Sequence, residues 1–144
     1  MSWLVFILLL VIVALLLQIP LYRAVRPLYQ RECAGVRWRR RYPNASAQEI
    51  RDFLQLFVDS FGFPRKHRLR FRPEDKVMDL YRALNPPNWS IGDNMELESL
   101  IDDFRDRYHV DLAPLWREDI TLGEVFAHAG FGQEGGETPA RPRV

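Results

Sequence analysis

Residues 3–17 form an unbroken apolar run, and no other stretch constrains this chain so strongly. Gln18, Ile19, Pro20, Leu21 and Tyr22 extend it to about 20 residues, enough to cross a hydrocarbon core of ~30 Å as a helix. Trp3 and Tyr22 stand at its two ends, where amphipathic rings anchor at membrane interfaces. The competing reading is a cleaved signal peptide, which calls for a basic residue before the apolar run and small residues after it. No Lys or Arg precedes Trp3, and Leu21-Tyr22-Arg23-Ala24-Val25-Arg26 follows, bulky and charged. Residues 1–22 are therefore expected to be an uncleaved transmembrane helix that meets the lipid bilayer through residues 3–22. Arg23, Arg26, Arg31, Arg37, Arg39, Arg40 and Arg41 all follow the run, so the positive-inside rule places the remainder in the cytoplasm.

What remains of the 144 residues suffices for one small domain. The net charge of +1 conceals an uneven distribution: 23–41 and 65–72 are basic, and 73–112 is acidic. A single cysteine, Cys33, excludes an intramolecular disulfide framework and a Cys-rich metal site. Its place near the apolar run admits lipidation, against the simpler reading of an inert thiol. Residues 23–45 read as a basic juxtamembrane linker, with Pro27 interrupting any helix that leaves the bilayer. Arg37-Trp38-Arg39-Arg40-Arg41 either lies on anionic lipid or serves only to set topology.

A soluble helical domain is expected over 46–131. Ser46-Ala47-Gln48-Glu49 is a capping box, followed by Ile50, Phe53, Leu54, Phe57 and Phe61 on one face and by Gly62 as a stop. Residues 65–72 are basic with Leu69 and Phe71 interleaved, a solvated loop that tucks those two side chains into the core. Pro73 suits the first position of a short helix, with Val77, Leu80, Tyr81 and Leu84 on its inner face. The central element is a helix over 93–108, in which Leu97, Leu100, Ile101, Phe104 and Tyr108 draw one apolar stripe. Asp93 is its expected N-cap, with Glu96 at the third helical position. Its other side carries Glu98, Asp102 and Asp106, like charges that repel at i, i+4 spacing unless a basic partner meets them or Arg105 and Arg107 ease them. Pro114 opens a short turn after Val110 and Leu112. Thr121-Leu122-Gly123-Glu124 is a second capping box, starting a last helix with Leu122, Val125, Phe126 and Ala129 inward and Gly130 as its stop. Residues 132–144, rich in Gly, Pro and charge, are expected to be a disordered tail.

A capped helix, a long connection, an acidic helix, a short turn and a final short helix, in that order, resemble the acyl carrier protein fold. Arg72-Pro73-Glu74-Asp75, Met95-Glu96-Leu97, Tyr108-His109-Val110-Asp111-Leu112 and Ile120-Thr121-Leu122-Gly123-Glu124-Val125 resemble successive stretches of carrier sequences. The likeness is to an uncharacterised bacterial branch of that family, catalogued as a domain of unknown function. It implies an all-α fold, an N-terminal transmembrane helix followed by a small acyl-carrier-like four-helix bundle, held at the bacterial inner membrane. In carriers, 4'-phosphopantetheine sits on the Ser of Asp-Ser-Leu at the N-terminus of the second helix, where free N–H groups favour an anion. Here Ser90-Ile91 matches Ser-Leu, but Trp89 replaces the Asp and one extra residue separates Ser90 from Glu96. In a second alignment Asp93-Asn94-Met95 takes the motif's place, and Asn94 cannot carry the group. The resemblance thus implies a degenerate carrier that meets an unknown basic protein through Met95, Glu98, Asp102 and Asp106, with no cofactor. The alternatives are a working carrier modified at Ser90, or a lipid-surface or nucleic-acid binder using 65–72.

An enzyme is not expected. His67, His109 and His128 have no ligand spacing between any two. No Gly-rich phosphate loop follows a strand, no nucleophile motif is present, and Asp75, Asp79 and Asp93 lack a calcium-loop pattern. The basic stretch lacks a recognisable nucleic-acid reading element, so nucleic acid is not an expected partner.

Overall fold

In a computed structural model the described residues are 2–85 and 94–131, with side-chain surroundings described at all of these except 2, 17, 18, 20 and 21. Every regular element among them is helical: α1 (Ser2–Tyr29), α2 (Gly35–Arg41), α3 (Ala47–Phe61), a 3-10 helix (Arg65–Arg70), α4 (Val77–Leu84), α5 (Met95–Tyr108), a 3-10 turn (Ala113–Leu115) and α6 (Leu122–Phe126). A wide turn, Ala127–Phe131, closes the described chain, with Gly130 in the left-handed region at φ 90°. The chain is all-α.

Local sequence accounts for several helix ends. Ser46 Oγ accepts the Glu49 N–H while the Glu49 carboxylate accepts the Ser46 N–H, so both halves of the first capping box are made. Gly62 ends α3 at φ 71°, a backbone state that costs glycine little. Thr121 and Glu124 repeat the box at α6. Between these ends, α3 buries Ile50, Phe53, Leu54, Phe57, Val58 and Phe61, and α5 buries Leu100 and Phe104 against it.

The stretch 23–45 is not a linker. Val25, Leu28, Ala34, Trp38 and Tyr42 are all buried in the same core as α3, α5 and α6. Trp38 is fully buried, donates its indole N–H to the Phe71 carbonyl at 2.9 Å, and packs against Phe53 and Phe126 with ring centroids 5.8 and 5.4 Å away. The arginines around it point outward, so α2 is a docked amphipathic helix. Nor does Pro27 interrupt α1, which continues to Tyr29. Proline removes one i→i−4 hydrogen bond. Burial of Val25 and Leu28 and the packing of Tyr29 on Phe63 and His67 hold the last turns in place.

The helix expected to open at Pro73 begins instead at Val77. The intervening backbone is engaged elsewhere: Gly123 N–H donates to the Pro73 carbonyl, Leu122 N–H to Asp75, and Val77 N–H to Ile120, around an antiparallel bridge between Lys76 and Thr121. These bonds hold the start of α4 against the start of α6. Gly123 is required there, since a Cβ would lie 2.7 Å from Tyr42 Oη and 2.9 Å from the Pro73 carbonyl oxygen.

Residues 65–70 are a 3-10 helix rather than an unstructured loop, while Phe71 is fully buried and Leu69 partly so, as their interleaving with charge anticipates.

Among the described residues no helix is long and apolar enough to cross a membrane. The described apolar side chains of α1 run unbroken from Trp3 to Leu16, all exposed, and the side chains that would carry this run on to Tyr22 are mostly among those not described.

Candidate functional site

The surface singled out in the sequence lies on α5. Its buried stripe, Leu100 and Phe104 with Leu97, Ile101 and Tyr108 partly covered, fixes the rotation of the helix. Ser60 on α3 hydrogen-bonds the Asp103 carboxylate at 2.7 Å and pins the helix laterally. Glu98, Asp102 and Asp106 are consequently all exposed, and Met95 at the helix start is 61% exposed. These four residues share one helix and one solvent-facing side.

The stripe is only partly neutralised from within. Arg105 lies 3.2 Å from Asp102 and 3.1 Å from Asp111. The hydrogen bond that Arg105 donates to the Asp111 carboxylate contributes most to raising the guanidinium pKa above its ordinary value. Asp111 is in turn held below the usual carboxylate range, first by the Ala113 N–H and then by Arg105. Arg105 is therefore shared between the stripe and the turn that follows α5. Glu98 and Asp106 have no ion pair among the described residues.

At the start of α5 the cap position belongs to Asn94, one residue later than expected, and its side chain makes no capping bond. Asp and Asn are equally good caps, so adjacent Asp93-Asn94 does not discriminate between them by type alone. Asp93 itself lies outside the described residues, as do Trp89 and Ser90, the candidate phosphopantetheine position. At the other end His109 adopts the left-handed cap conformation, φ 57°, with its N–H on the Arg105 carbonyl at 2.8 Å. It serves as a helix end, in the role its position after Tyr108 suggests.

The basic stretch has structural duties. Arg65 pairs with Asp59 at 2.9 Å, Arg68 reaches Gln55, and Arg70 donates to the Arg31 carbonyl. His67 stacks on Tyr29, with ring centroids 4.2 Å apart and the two ring planes nearly parallel. Burial, then Lys66 and Arg70, hold the His67 pKa below its ordinary value. This contact between the 3-10 helix and the end of α1 escaped the sequence reading. The spacing of Val25, Leu28 and Tyr29, and of Ala34, Trp38 and Tyr42, carries a helical signal that marks these segments as packed, without naming what they pack against.

Among the described residues no group of three or more His, Cys, Asp or Glu side chains is placed to hold a metal ion. Cys33 is exposed and unpaired in any disulfide. What the geometry shows is an exposed acidic stripe, headed by Met95, on one helix of an all-α arrangement. No family model, no curated protein and no solved structure matches this chain.

Proposed function

We propose that this protein is a membrane-tethered helical domain of the acyl-carrier type, which docks a basic protein partner through its acidic helix and performs no carrier chemistry of its own. One observation carries the reading: Met95, Glu98, Asp102 and Asp106 stand exposed together on a helix whose other face is locked into the core. An exposed acidic stripe on a rigid helix suits charge-steered encounter, which is screened over ~8 Å at physiological salt. The order of α3, α5, the 3-10 turn and α6 follows the order of elements in carriers. The departure of Trp89-Ser90-Ile91 from Asp-Ser-Leu argues for docking without modification.

The tether in this proposal is α1, inserted in the bacterial inner membrane with the domain on the cytoplasmic side. Exposed apolar side chains from Trp3 to Leu16 favour a non-aqueous environment, and the arginines that follow favour the cytoplasmic face.

The test is charge reversal. Glu98→Lys with Asp102→Lys should abolish salt-sensitive co-purification of the partner that the wild type retains from membranes. Retention of the same partner at the same salt would show the stripe to be a solvated face. An intact mass increased by phosphopantetheine would make the protein a working carrier instead. A C-terminal alkaline phosphatase fusion should be inactive, since that enzyme requires the periplasm.

A further inference from the structure

The basic stretch and the end of α1 are more than 30 residues apart in sequence but adjacent in space. Tyr29, in the last turn of α1, stacks on His67 of the 3-10 helix and meets Phe63 edge-on at 6.4 Å. Ala34 donates its N–H to the Leu69 carbonyl at 2.7 Å, and Arg70 donates to the Arg31 carbonyl. The 3-10 helix is therefore tied to the chain on both sides of the α1 exit. Arg65 and Lys66 are exposed at its start, and Arg23 and Arg26 are exposed on α1 itself.

Distances along α1 decide what these cations can reach. From Tyr22, the end of the apolar run, to Tyr29 is about 10 Å, at ~1.5 Å per helical residue. The headgroup layer extends about 5–7 Å beyond the hydrocarbon on each side. His67 beside Tyr29 would thus lie only a few ångströms outside that layer, with Lys66 next to it, well inside a screening length of ~8 Å. Arg23 and Arg26 would lie within the layer or at its edge.

We propose that Arg65 and Lys66, together with Arg23 and Arg26, form a cationic collar that seats the domain on an anionic bilayer surface. The occupant is a membrane carrying anionic headgroups, argued from charge complementarity and from continuity with the apolar part of α1. The proposal rests on the reading of α1 as the anchor. Because Val25, Leu28 and Trp38 are part of the core, the domain follows α1 without a flexible tether, and the collar fixes which side of it faces the lipid.

The experiment uses the full chain in nanodiscs of phosphatidylcholine, with and without phosphatidylglycerol, and reads amide hydrogen exchange over 63–72. Exchange there should be about fivefold slower in the anionic discs, the ratio that one cation near an anionic surface supplies. The difference should vanish at high salt and in the Arg65→Glu, Lys66→Glu variant. Arg65 and its partner Asp59 are a surface pair with 73% and 40% of their side chains exposed, so that variant should keep its fold. Unchanged exchange over α3 verifies this, and Arg65→Ala, Lys66→Ala gives a milder second variant that should halve the difference or more. Equal exchange in both kinds of disc, with the chain inserted in each, overturns the collar and leaves the anchor standing. A chain that washes out of phosphatidylcholine discs overturns the anchor and the collar with it. Equal protection by a soluble polyanion such as heparin in neutral discs assigns the patch to soluble anions and overturns the lipid assignment.

Discussion

Arg31 Nη1 lies 2.8 Å from both carboxylate oxygens of Asp75, across 44 residues of sequence. Asp75 also accepts the Arg72 N–H at 2.7 Å, and its carbonyl accepts the Leu122 N–H. Asp75 thus joins three segments: its part-buried carboxylate ties the segment after α1 to the turn before α4, and its carbonyl holds the first residue of α6. Hydrogen bonds to charged groups contribute about 1.5–3 kcal/mol. Asp75→Ala should destabilise the full chain in detergent by about 2–3 kcal/mol in urea titrations, and Arg31→Ala by about 1 kcal/mol. Arg31→Ala costs less because Asp75 keeps its Arg72 partner, whereas Asp75→Ala strands a guanidinium that is only 27% exposed. A loss under about 0.5 kcal/mol for Asp75→Ala would reduce the pair to a surface contact.

Trp38 tests whether 23–45 belongs to the domain. Trp38→Ala removes a fully buried indole and should cost about 3–5 kcal/mol. Trp38→Phe should cost less, retaining the ring packing on Phe53 and Phe126 but leaving the Phe71 carbonyl without its donor. Thermal unfolding of both variants checks the ranking. A mild Trp38→Ala would return the segment to the status of a tether.

Gly123 offers a prediction of opposite sign to the usual one. Gly→Ala inside a helix ordinarily stabilises by about 1 kcal/mol. Here the new methyl would meet the Pro73 carbonyl oxygen at 2.9 Å and Tyr42 Oη at 2.7 Å, so the start of α6 must separate from the turn before α4. Gly123→Ala should therefore destabilise by about 1–3 kcal/mol, as overpacking does. A stabilised variant would show that this junction yields easily.

The pH dependence follows from His67. Its pKa is below the ordinary 6.5 in the folded chain, chiefly through burial against Tyr29. The unfolded chain therefore binds the proton more readily, and stability falls as pH drops below 6.5 toward the folded value. His67→Gln should flatten that part of the profile. Denaturant midpoints of wild type and variant, compared between neutral and mildly acidic pH, should converge at the acidic end relative to their separation at neutral pH. Parallel profiles would remove His67 as the cause.

What the amino-acid sequence determined by itself was local. Ser46 with Glu49, Thr121 with Glu124 and the left-handed Gly62 are bonds and torsions within one turn, so residue type and spacing specify them. The stripe Leu97, Leu100, Ile101, Phe104, Tyr108 fixed the outward direction of Glu98, Asp102 and Asp106 for the same reason, since a helix has one period. The tertiary structure decided everything that depends on partners far along the chain. Trp38 sits among four arginines that announce solvent, yet the cavity between Phe53, Phe126 and the Phe71 carbonyl claims it. The start of α4 moved from Pro73 to Val77 because the backbone of α6 takes the intervening hydrogen bonds. The basic stretch came to lie beside the end of α1 through Tyr29 on His67, a contact no periodicity encodes. Helical spacing constrains neighbours three and four residues apart, whereas burial of large rings is won by whichever distant surfaces fit together.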